Sequence, residues 1–252
     1  MIGWAWVVAA PLGAALGSFL NVCVHRWPID QSVVSPRSSC PVCERSIAWY
    51  DNLPVLSWLL LRGRCRGCAE PISVQYPLVE LAVAGIWGGV VAWSGPSVEA
   101  VRIAVFLTIL LGIALTDARH YIIPDEFSMG GLAIGLGFAA IPGDTPLTTA
   151  LLGAAVGFGL LWAMAVLGER AFKKPAMGGG DIKMMAMVGA FLGTPGVFLT
   201  VFLGALLGAL IFGPISMKTG KLVPFGIFLA LGAAVAALWG PAVIEWYVGA
   251  FL

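Results

Sequence analysis

Charge is what this chain has least of. Only 11% of its 252 residues are Asp, Glu, Lys or Arg, against 60% hydrophobic. Whole stretches carry none: 1–25, 81–98, 103–116, 127–143, 145–168, 184–217 and 222–244. Such a chain cannot maintain a water-facing surface, and most of these runs match the ~20 apolar residues that a membrane-spanning helix needs. The net charge of +1 comes with no broad basic surface, which leaves nothing to recommend nucleic acid as a partner. No basic segment precedes the first run and Arg26 follows it, so it reads as a retained span and not as a cleaved signal peptide. Internal repeats are missing as well, which counts against a transporter built from repeated halves.

The run 184–217 is too long for one helix, and Gly193-Thr194-Pro195-Gly196 supplies a turn inside it. The expected fold is therefore an all-α polytopic membrane protein of about eight transmembrane helices, some short or with charged ends. Eight alternating spans place the connectors 26–75, 117–126, 169–183 and 215–223 on one side. These hold every Lys and Arg, Lys218 and Lys221 included, except Arg102. The positive-inside rule then puts the connectors in the cytoplasm and both termini outside. Trp4, Trp93, Trp246 and Tyr247 fall near span ends, as interfacial anchors do.

Three parts follow: a first span over 1–27, a cytoplasmic module over 28–74 and a membrane core over 75–252. The module contains four of the five cysteines, as Cys40-Pro41-Val42-Cys43 and Cys65-Arg66-Gly67-Cys68. Two such pairs offer four thiolates for tetrahedral zinc, and a cytoplasmic site disfavours disulfides. A metal would also stabilise a segment too small to bury enough apolar surface by itself. The competing readings are unliganded thiols in a loop or a redox pair, although two matched pairs resemble paired zinc knuckles more than one redox site. No ligand position looks open, so the metal is expected to be structural. Cys23, among apolar neighbours, reads as a small buried hydrophobe.

Two aspartates stand where apolar runs meet polar connectors: Asp117 after Leu115-Thr116, and Asp181 after Gly178-Gly179-Gly180. Ionisable groups at membrane depth are expensive and usually mark function. Two carboxyls sharing a site can split one proton and activate water, which makes proteolysis the leading hypothesis. The bland reading of Asp181 is a helix cap. Asp117 ends its span, where the helix dipole disfavours negative charge, so capping does not explain it and a salt bridge to Arg119 is the structural alternative. Asp125, after Pro124, is better read as a cap. His120 reads as a polar anchor, and Lys183 either tunes Asp181 or snorkels.

The glycine run Gly178 to Gly180 lets another backbone approach closely, as an extended peptide substrate would. As a nucleotide loop it fails, since no Lys-Ser/Thr follows and no strand precedes it. From Asp181 to Leu192 a helix would span only ~18 Å, against the ~30 Å of a bilayer core. If the turn at Gly193 reaches the far surface, Asp181 is recessed below the near one.

These residues carry a resemblance. Gly17-Ser18-Phe19-Leu20-Asn21-Val22, Trp49 to Trp58, Tyr76-Pro77-Leu78-Val79-Glu80, Asp117 with Ile123-Pro124-Asp125, Met177 to Lys183, and Pro224-Phe225-Gly226 together resemble the bacterial type IV prepilin leader peptidases, in order and over nearly the whole chain. His25, Trp27 and Thr116 depart from the usual pattern without removing a proposed catalytic group. The resemblance implies a membrane aspartic protease of the bacterial inner membrane that uses Asp117 and Asp181. Its substrates would be type IV prepilins or type II secretion pseudopilins, cut after a glycine at the cytoplasmic face. The tetracysteine form of the family is bifunctional, so the resemblance also implies methylation of the new amino terminus with S-adenosylmethionine. No cofactor pocket is legible in the residues themselves, and the cysteine module with its neighbouring connectors is the place to look for one. A transporter, or a non-enzymatic assembly scaffold using the cysteine module as a dock, are the readings from other classes.

Overall fold

The computed structural model describes residues 4–142, 145–174, 177–219 and 224–251; the connector expected at 215–223, with Lys221, falls partly outside them. The helices are α1 (Ala5–Arg26), a short α2 (Leu56–Leu60), α3 (Gln75–Ser94), α4 (Val98–His120), α5 (Asp125–Ala139), α6 (Leu147–Phe172), α7 (Gly179–Thr219) and α8 (Phe225–Phe251). Among the described residues there are no strands, only two isolated antiparallel bridges in the module. Six helices among the described residues are long and apolar enough to cross a membrane. Two further features divide the chain more finely than these six spans. One is α5, only 15 residues long. The other is a break that divides α7.

That break is at Gly193, with φ 66° and ψ −177°, a conformation essentially restricted to glycine. The helical ladder cannot pass through it, so 179–192 and the residues beyond form two helices, as the turn residues indicate.

The chain divides into two compact units, Met1–Thr108 and Ile109–Leu252, with the boundary inside α4. In the first, α1 packs on α3. Gly13 and Gly17 make this possible, because a Cβ at either would strike the α3 backbone, at Val83 O and Glu80 Cα respectively. Small residues four apart that bring two helices together are the usual means of packing in lipid, where burying apolar surface gives no net gain. Trp87 on α3 donates from Nε1 to Thr108 Oγ1 on α4 at 3.1 Å.

In the second unit the 179–192 arm of α7 is central. Met184, Met185, Met187, Val188 and Phe191 are fully or almost fully buried, and α5, α6 and α8 all pack on α7. Gly153 and Gly157 of α6 meet the α7 backbone at Gly189 and Met185 too closely for any Cβ. Outward, Leu152, Phe158 and Trp162 of α6 and Phe198, Phe202 and Leu210 of α7 are exposed. Bare apolar surface of this extent suits lipid and not water. The protein is a multi-pass membrane protein.

Candidate functional site: a carboxylate pair and a tetracysteine module

The two aspartates of the second unit come close enough for Asp181 to experience the charge of Asp117. Asp117 lies in the last turn of α4, is 6% exposed, and accepts the Ile227 N–H at 3.1 Å on Oδ2. The Gly226 N–H also donates to it. Both donors belong to the first turn of α8, whose N–H groups have no partner within their own helix. A carboxylate at the wrong end of its own helix is thus at the favourable end of another. Asp181 is the third residue of α7 and accepts the N–H of Gly178, just ahead of the helix. This is the backward half of a capping box, so the capping reading describes one of its bonds.

Ile123, 8% exposed, packs against both helix starts. An added Cβ on Gly180 would lie 2.9 Å from Ile123 Cβ, and one on Gly226 would lie 2.9 Å from both Ile123 Cδ1 and Asp117 Oδ2. Gly180 and Gly226 therefore have to be glycine for α7 and α8 to close on the aspartates. Gly178 is near the Asp181 carboxylate, 3.3 Å from an added Cβ to Oδ2. Ile123 and the two N–H donors of α8 carry no chemical signature in the sequence. Pro224-Phe225-Gly226 was a recognisable motif, but nothing local ties it to a residue 110 positions away.

Two structural alternatives come out differently from the sequence reading. Arg119 is exposed and forms no ion pair with Asp117 among the described residues. Asp125 is not a cap: Pro124 occupies that position, and no side-chain cap bond forms. Its carboxylate instead receives Lys183 Nζ at 2.7 Å on both oxygens. Lys183 therefore neither pairs with Asp181 nor simply snorkels. His120 is exposed, and Cys23 is buried as expected.

In the first unit the segment between α1 and α3 holds two knuckles of one design. In the first, Cys40 N–H donates to Arg45 O, Glu44 N–H to Cys40 O, and Ile47 N–H to Ser38 O. In the second, Cys65 N–H donates to Glu70 O, Ala69 N–H to Cys65 O, and Ile72 N–H to Gly63 O. Glu44 and Ala69 both have positive φ, 56° and 58°. The bridges Ser39–Ser46 and Arg64–Pro71 close the two loops in the same way. Matching backbones bring the four Sγ atoms within 4.8 Å of one another. Cys40–Cys68 is 3.7 Å and Cys43–Cys65 is 3.9 Å. A tetrahedral ion with ~2.3 Å metal–sulfur bonds requires sulfurs ~3.8 Å apart, so the residues fit one ion held by all four. The Cys65 thiol is lowered to about 6 by the backbone N–H groups of Cys68 and Gly67. Cys68 is pushed up to about 12: the Glu70 N–H acts against this, while burial and the other three sulfurs raise it. Four crowded sulfurs cannot all ionise unless a cation joins them.

The Trp49–Trp58 stretch braces these knuckles. Asp51 takes Arg66 on both oxygens, Nε at 2.8 Å and Nη2 at 2.6 Å, which holds its carboxyl below the usual range. Ser57 Oγ donates to Tyr50 O and accepts Leu53 N–H, both at 3.0 Å. Trp58 Nε1 donates to Ile72 O at 3.1 Å.

Residues 12–95 match the model of the bacterial peptidase A24 N-terminal domain, and residues 104–213 that of the type IV leader peptidase family. The "Prepilin leader peptidase/N-methyltransferase" of Aeromonas hydrophila is 35% identical, over 94% of this chain and 91% of its own length. The chain belongs to the type IV leader peptidase family. The protein of the same name from Pseudomonas putida is 37% identical over 92% of this chain and 90% of its own length. That of Myxococcus xanthus is 43% identical over 88% of this chain, which spans only 63% of that longer relative. No solved structure matches the chain.

Proposed function

We propose that this protein removes the basic leader peptide of type IV prepilins or type II secretion pseudopilins, with Asp117 and Asp181 as the catalytic pair, and then N-methylates the exposed amino terminus. The observation that carries the peptidase half is the meeting of two carboxylates, each placed by the start of a helix, with Asp117 buried. One carboxylate takes a proton from water while the other, protonated, hydrogen-bonds the scissile carbonyl, and the roles then exchange. Gly178 and Gly179 leave the substrate backbone room to lie beside Asp181, whereas the face of Gly180 is taken up by packing against Ile123. The substrate's apolar helix stays in lipid and its charged leader in the cytoplasm of the bacterium, so the catalytic face and the cysteine module are assigned to the cytoplasmic side of the inner membrane. Thirteen of the fourteen Lys and Arg residues fall in connectors of that side, which supports this orientation.

Cys40, Cys43, Cys65 and Cys68 would hold zinc, whose contribution is to tie the two knuckles together. The methyl donor would be S-adenosylmethionine, in line with the names of the relatives. Incubation of the purified protein with a synthetic prepilin in detergent tests the reading, with mass spectrometry reporting leader loss and methyl gain together. Asp117→Asn and Asp181→Asn should each remain folded, fail to cleave, and still methylate a peptide supplied already cut. Full processing by either variant overturns its catalytic role. A transporter or a scaffold would yield no fragments from the unaltered protein.

A further inference from the structure

The first unit has a partly open cavity of about 540 Å³ that the peptidase reading does not use. It lies between the cysteine knuckles and the ends of α1 and α3, and its walls include Asn21, His25, Val55, Trp58, Tyr76 and Glu80. Three features of its walls stand out. Asn21 is 1% exposed; its Nδ2 donates to Tyr76 O at 3.1 Å, while Oδ1 takes no hydrogen bond among the described residues. Leaving a buried acceptor unmatched costs roughly 1–3 kcal/mol, a cost normally offset by a ligand or water donor. Glu80 is a carboxylate only 7% exposed. Its Oε2 accepts the N–H of Val55 at 2.7 Å, and Val55 is held at φ 61° and ψ −48°, an unfavourable conformation for a β-branched residue. Strain of this kind gathers at ligand clamps.

We infer that this cavity is the methyl-donor site, with the Glu80 carboxylate facing the sulfonium cation and Asn21 Oδ1 accepting an N–H of the nucleoside or amino-acid part. The inference rests on the methyltransferase half of the proposed function and assigns it a place. The volume lies within the range that encloses small ligands, roughly 300–1,000 Å³. The aromatic side chains His25, Tyr76 and Trp58 line the cavity, His25 packed on Tyr76 and Trp58 fixed by its bond to Ile72, and suit a purine. When bound, the donor supplies a methyl group whose carbon–sulfur electron pair returns to sulfur as the new terminal amine, having released a proton, forms the carbon–nitrogen bond. Cys40 and Cys65 also line the cavity, so the ion they would hold shapes its wall without touching the reaction.

The test uses the full chain, loaded with zinc, in detergent. Calorimetry with S-adenosylmethionine measures binding, and photolabelling with the methyl-tritiated donor followed by peptide mapping locates it. The label should fall on peptides within 18–26 or 49–80. Glu80→Gln and Asn21→Leu should each weaken donor binding by roughly 10-fold or more, and prepilin cleavage by the same samples reports that they are folded. If a variant does not fold, labelling of the unaltered protein decides. Label within 109–252, or unchanged affinity in Glu80→Gln, overturns the site while the methyltransferase reading stands. Protection of the cavity peptides by prepilin and not by donor assigns the cavity to the substrate and also overturns it. An unaltered protein that neither binds donor nor methylates overturns both.

Discussion

The two units solve the same problem in opposite ways. Each has to keep polar groups in place within an apolar chain. In the cysteine knuckles of the first unit they are held by short-range structure: every backbone bond of the two knuckles closes within a single loop, and the four sulfurs meet because one loop design is used twice. In the second unit the carboxylates are held by the starts of helices, and Asp117 takes its donors from a segment 110 residues away. A local device tolerates change elsewhere in the fold but would depend on the ion that the four sulfurs fit. A long-range one needs no ion but depends on the fit of helices whose relative position is set by glycines.

The contrast can be broken most severely at the cysteines. Cys40→Ser or Cys65→Ser should lose zinc by elemental analysis and lose methyl transfer almost completely, because structural zinc sites contribute about 10–16 kcal/mol to folding their modules. Cleavage should fall much less, and equal losses of both activities would erase the distinction between the units. The reverse experiment is Gly226→Ala. Its Cβ would enter the space of Asp117 Oδ2 and Ile123, so cleavage should drop by about 10- to 100-fold with methylation of a pre-cut peptide preserved. A smaller effect is expected at Gly193→Ala, where φ 66° would cost roughly 1–3 kcal/mol and lower the thermal midpoint without changing zinc content. The smallest is Lys183→Met. The partly exposed pair with Asp125 is worth at most about 1 kcal/mol, so near-normal cleavage is expected, and a large loss would give Lys183 a role in catalysis.

The legible parts of the molecule were those whose cause is local. Charge-free runs mark helices because lipid leaves the backbone no other partner. Gly193 marks a break because few residues adopt its backbone angles, and paired Cys-x-x-Cys marks a cluster that fits a metal because the knuckle is a property of a few adjacent residues. Asp117 was visible as a residue out of place, but its explanation was not, because the α8 donors are anonymous backbone groups. The same holds for Asp125, whose apparent cap is an ion pair with Lys183, 58 positions further along. The cavity drew on Asn21, Val55 and Glu80, three residues from motifs that were noticed but had no assigned chemistry until packing brought them to one wall.

The central claim is that Asp117 and Asp181 work as one unit, and a double-mutant comparison tests it most directly. The kcat/KM for prepilin cleavage is measured for Asp117→Asn, Asp181→Asn and the double variant, each confirmed as folded by its zinc content and donor binding. Groups that act together fail together. Each single change should therefore cost on the order of 10²–10⁴-fold or more, and the double variant should lose no more than either. Losses that multiply in the double variant, or a single variant that cleaves normally, would contradict the account.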